Sequence, residues 1–176
     1  MELLFIKQLG KPVSFKCIRA DKSSTYMLIF HTFNLERKLI HYALETVLGF
    51  NQAYYGLLEK GHSLKDFEVP SFDRPMHLKE GNLPEEAIQS EILSSLFHIE
   101  LNEETTIDGF IDVAKITFEA RNIKFPDLAE DQINKIREKI HSLLEEWNLL
   151  GAGNVLSLHF QLVKNNKAKS TNKKIS

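Results

Sequence analysis

The chain has 176 residues, with 22 Lys and Arg, 24 Asp and Glu, and a formal net charge of -2. Its 43% hydrophobic and 26% charged residues are ordinary globular values, enough for one domain with a proper core. No apolar run approaches the ~18 residues of a membrane helix, and a single cysteine, Cys17, excludes both a disulfide framework and a Cys-based zinc cluster within one chain.

The charge is unevenly spread. The stretch KNNKAKSTNKKIS holds Lys164, Lys167, Lys169, Lys173 and Lys174 and no acid; without these five, 17 basic residues stand against 24 acidic ones, so the body is near -7. An acidic body lacks the basic face of specific nucleic-acid binding. The polar end, 165–176, is expected to be a disordered tail, and 1–164 a single α+β domain. MELLFIKQLGKP has no basic n-region and no small-residue cleavage site, so it reads as a strand and not a signal peptide. With the lone cysteine this fits a reducing cytoplasm.

In chain order, LFIKQL (3–8) and VSFKCIRA (13–20) read as strands, with Gly10 and Pro12 marking the turn between them. TYMLIFHTF (25–33) follows a polar turn as a third strand, and together they form an antiparallel meander. Cys17 sits in a strand as a small core residue. Asn34 is the expected N-cap of the next helix. There the apolar spacing changes from 2 to 3.6, and Arg37, Lys38, His41 and Glu45 gather on one narrow polar arc of a mostly buried helix. Gly49 ends it, and Phe50 to Glu59 resumes as a short helix that stops at Gly61.

Residues 62–82 carry two prolines, a glycine and no period, and read as a long loop. Pro84 opens a helix with Ile88, Ile92, Leu93, Leu96 and Phe97 on its apolar stripe. A further amphipathic segment runs over 105–123, with Thr105 and Asp108 as its cap pair. The strongest helix spans 128–150, with Ile133, Ile136, Ile140, Leu143 and Trp147 on its inner face. In VLSLHFQLV (155–163), Leu156, Leu158, Phe160 and Leu162 alternate with polar residues, which predicts a fourth strand joining the N-terminal three. The predicted architecture is α+β, a small antiparallel sheet packed against four to five helices.

The segments IRADKSS (18–24), RKLIHYALE (37–45), YYGLLEKG (54–61) and Trp147 with LSLHF (156–160) resemble an uncharacterised family of bacterial proteins. Its pattern is an R-A-D-G-S hairpin, an H-D-L-x-H-x-x-x-E helix, an F-[WY]-G-L turn and a W…L-x-L-x-F strand. The resemblance implies a shared fold and no activity, since none is established for that family. Its helix pattern would project two His and two acids, the beginnings of a metal site. Here Arg37 and Lys38 occupy two of those four positions and would repel a cation, so neither a metal nor a cofactor is expected.

His41 and Glu45, four apart, are the candidate catalytic pair. Arg37, Lys38, Tyr54 and Tyr55 are the candidate binding residues, with Gly56 allowing close approach to a ligand pocket; against this stands plain core packing of the tyrosines. No G-x-S-x-G motif and no phosphate-binding loop occurs. The leading expectation is a small intracellular interaction or ligand-binding protein without catalysis, with a protein or small-molecule partner or a second copy of itself. The alternative is a hydrolase or metal-dependent enzyme using His41 and Glu45 as base and orienter. It requires a concave pocket around 37–45 and 54–56, where a solvated face would be flat.

Overall fold

The computed structural model describes residues 1–163 apart from Ser71 and Glu80. The expected tail, 165–176, lies outside the described residues. Four strands, β1 (Glu2–Ile6), β2 (Val13–Ile18), β3 (Ser24–Ile29) and β4 (Val155–His159), form one antiparallel sheet in the order β3-β2-β1-β4. Six helices precede β4: α1 (Thr32–Leu48), α2 (Tyr54–Glu59), α3 (Leu64–Glu68), α4 (Glu85–Glu103), α5 (Phe110–Ala120) and α6 (Glu130–Leu149), with a 3-10 turn at Met76–Leu78. The chain is α+β, as its changing hydrophobic period predicts.

Alternation sets the sheet's inner face. Leu3 pairs with Cys17, and Phe5 with Phe15 on one side and Leu156 on the other; all five are fully buried. Phe5 and Phe15 stack at 4.2 Å between ring centroids. A one-residue slip would turn this whole set to the other face, so the pairing register is tightly specified. The helical layer meets it through Tyr55, whose ring lies edge-on to Phe15 and against Phe160. Burial pushes the Cys17 thiol up to about 12, so it packs as an inert core residue.

α1 is the central helix. It packs against both α4 and α6, and every residue from Ile40 to Glu45 is buried. Gly49 ends it in the left-handed region at φ 70°, its N–H bonding to the Glu45 carbonyl.

Several boundaries differ from expectation. α1 begins at Thr32, with extended His31 at its cap position and Asn34 inside the first turn. β3 stops at Ile29 and does not run to Phe33. The 62–82 stretch holds α3, whose Ser63 and Asp66 form a reciprocal capping box. Thr105 and Asp108 do not cap α5, which starts after Gly109. Instead the Glu100 carboxylate, clasped by Arg137 at 2.6 and 2.9 Å, accepts the Ile107 N–H and anchors that loop. β4 ends at His159, so Leu162 is 38% exposed and not inward.

Candidate functional site

Asn34, Arg37, Lys38 and His41 fall on one line of α1, at helical spacings of three and four. This line forms one side of a cleft of about 900 Å³. Ala87, Ile88 and Glu91 of α4 face it, and Arg121 and Ile123, beyond α5, close one end. Tyr54 and Leu57 of α2 and residues of the 64–83 segment complete the wall. The segment is held by local bonds. Arg74 donates to the Phe67 and Val69 carbonyls at 3.1 Å each, and His62 and His77 share a 3.1 Å ring-to-ring hydrogen bond.

His41 is the polar centre of this wall, yet it is only 5% exposed. Its Nδ1 lies 3.0 Å from Ser90 Oγ on α4. The Ser90 hydroxyl also lies 3.3 Å from Glu45 Oε1, and the second ring nitrogen of His41, Nε2, is turned toward the cleft. On that side Nε2 is 3.5 Å from Glu91 Oε2. Behind His41, Glu45 is fully buried and its Oε2 accepts the Tyr55 N–H at 2.8 Å. The carboxyl group therefore sits where the first N–H groups of α2 need an acceptor.

Burial dominates the proton chemistry. It pulls His41 down to about 3, helped by the nearby Lys38 and Arg37 charges. It pushes Glu45 up to about 8, against the opposing pull of the Tyr55 N–H and the Ser90 hydroxyl. The Glu45–Ser90–His41 chain thus holds one carboxyl proton and no net charge at neutral pH.

The cations around it are also partly dehydrated. Lys38 Nζ sits 4.3 Å above the Tyr54 ring and 3.2 Å from Glu68 Oε1, and burial lowers its pKa. Arg37 pairs with Glu91; burial lowers its pKa, Glu68 opposes this, and the like charge of Arg74 adds to it. The Tyr54 ring packs on Phe67 at 4.9 Å, and its hydroxyl is buried without a partner among the described residues.

Of the six residues singled out in the sequence, Arg37, Lys38, His41 and Tyr54 line the cleft. Glu45 lies behind His41 and touches the cleft only through it. Tyr55 is core: fully buried, with its hydroxyl donating to the Lys38 carbonyl at 2.9 Å. Gly56 does allow a close approach, but of backbone, since a Cβ there would stand 2.3 Å from the Asn51 carbonyl oxygen. Sequence reasoning missed Ser90, Glu91, Arg74 and Arg121. Ser90 carried a signal, a polar residue three and seven places before the apolar Leu93 and Phe97 and so on their face of α4. The others carried none, because they reach the cleft from a loop, a helix flank and a helix end.

Among the described residues, no group of three or more His, Cys, Asp or Glu side chains is disposed to hold a metal ion, and no helix is long and apolar enough to cross a membrane. No protein-family model, curated protein or solved structure matches the chain.

Proposed function

We propose that the chain binds a small molecule in the cleft between α1, α4 and the 64–83 segment, without turning it over, and that His41 is the group that reads it. One observation carries this: a fully buried acid–serine relay ends on a single imidazole nitrogen in a concave site. The volume falls within the roughly 300–1,000 Å³ typical of small-molecule sites. Burying an imidazole and a carboxyl group costs stability unless each polar atom is matched, and apolar packing at these positions would do as well for folding alone. Strongly shifted groups in a cleft are a recurrent mark of a working site. The lone, buried Cys17 supports a reducing compartment such as the cytoplasm.

A small-fragment screen followed by amide NMR tests the reading. Bound fragments are expected to perturb residues of α1, Tyr54 and Glu91, and His41→Ala is expected to weaken them about tenfold, the equivalent of one lost hydrogen bond in a dry site. Fragments that cluster elsewhere, or bind His41→Ala unchanged, would contradict it.

One observation favours the enzyme reading. A single imidazole nitrogen turned to a concave site, on a ring positioned from behind by Ser90 and Glu45, is the geometry a catalytic histidine needs. It predicts turnover that His41→Ala abolishes while ligand binding persists.

A further inference from the structure

The charges of the cleft do not cancel. Four cations, Arg37, Lys38, Arg74 and Arg121, line it against two acids, Glu68 and Glu91. Glu91 is taken by Arg37 and Glu68 by Lys38. Arg74 uses Nε and one terminal nitrogen on loop carbonyls, and its other terminal nitrogen has no partner among the described residues. Arg121 faces no carboxylate among them. His41, held neutral by burial, neutralises nothing. Among the described residues, two positive charges are therefore left over around this concave space, on half-buried Arg74 and on exposed Arg121, with the guanidinium groups of Arg37 and Arg74 near enough to repel. Between them the wall is apolar: Leu57, Phe67, Leu78, Leu83, Ile88 and Ile123.

Resting on the cleft as a binding site, we infer that its occupant is a small dianion with an apolar body, a phosphate monoester or a dicarboxylate. Two negative charges match the surplus. Guanidinium groups suit planar or tetrahedral oxyanions because their paired N–H donors fit two oxygens at once. The apolar body takes the wall, and His41 Nε2 reads a neighbouring hydroxyl or amide. The paired acids tune the site: Glu68 and Glu91 hold Lys38 and Arg37 in place and also weaken their pull on the ligand.

Matched probes test this on the full chain: phthalate against phthalamide, and phenyl phosphate against benzyl alcohol and inorganic phosphate. Binding is followed by amide NMR and calorimetry at low and moderate salt. The acids are expected to perturb the cleft and to bind at least about tenfold more tightly than the neutral partners, with affinity falling as salt rises. Phenyl phosphate should outbind inorganic phosphate. Arg121→Ala, at an exposed position that leaves the fold intact, should weaken the acids about tenfold and leave the neutral probes unchanged. Glu91→Gln should tighten the acids several-fold, an effect that a purely structural role would not give. Neutral probes that bind in the cleft as well as their acids, or a Glu91→Gln variant that binds acids more weakly, would overturn the dianion while leaving the cleft as a binding site. If neither class perturbs the cleft, both the dianion and the binding reading fail.

Discussion

Glu45 and His41 are each held in the neutral form that burial favours, and that choice ties their protons to the stability of the fold. Glu45 has an ordinary value of 4.5 raised to about 8, so its share of stability is fully present below pH 4.5 and is lost as pH rises through about 8. His41 has an ordinary value of 6.5 lowered to about 3, so its share is present above pH 6.5 and is lost as pH falls through about 3. Between pH 4.5 and 6.5 the two slopes oppose and cancel. From pH 6.5 to 8 only Glu45 still acts, and stability should fall by at most about 1.4 kcal/mol per pH unit. Glu45→Gln keeps the shape and removes the titration. Urea unfolding at pH 6.5 and 8 should show the loss in the wild type and its absence in Glu45→Gln; equal losses in both would mean that Glu45 is ionised in the fold. Sequence alone brought His41 and Glu45 together, because spacing by four is a property of the helix itself. It did not reveal that Glu45 is buried, since that depends on Ser90 and the start of α2, which lie 45 and 10 residues away.

The elements were legible where a single period ran long enough. α6, with 20 residues, kept the 3.6 spacing that predicts it, while α4, with 19, was marked by Pro84, Glu85 and Glu86 at its start and buries residues, several of them polar, around much of its circumference. β1 and β2 kept the period of 2. Short or mixed stretches were not legible. Phe30 and Phe33 extend the apolar look of β3, yet both are exposed, and a short apolar run cannot distinguish strand from first helical turn. That is why Asn34, a good capping residue, drew the expected start of α1 too late. α3 has five residues, too few to show a period, although Ser63 and Asp66 already spelled its capping box. α2 is likewise short and is held by docking. Its backbone at Gly56 presses against that of Asn51, while Glu86 fixes the Asn51 and Gln52 N–H groups at 2.7 and 2.6 Å. Gly56→Ala should force this contact apart and cost roughly 2–4 kcal/mol, because a backbone oxygen cannot yield as a side chain can. Thermal unfolding would show it; a loss below about 1 kcal/mol would mean that α2 docks loosely.

At the scale of the whole molecule, the sheet and α6 act as the platform and α1 as the shared wall between core and cleft. One face of α1 is packed in the interior, and the other is lined with cations and one imidazole. The fold class could be read from the order of hydrophobic periods, strands before and after a run of helices. The cleft could not, because its walls come from α1, α2, α4, the 64–83 segment and the chain after α5, and no local pattern records their convergence. The central claim is that His41 is the neutral, oriented end of a buried relay opening on a ligand site. Nitrogen-15 NMR of the histidine side chains, titrated from pH 7 to 4 with and without phthalate, tests it most directly. His41 is expected to stay neutral to pH 4, and phthalate is expected to shift its Nε2 resonance. A His41 that titrates near 6.5 and ignores phthalate would make the RKLIHYALE helix face a solvated stripe and contradict the account.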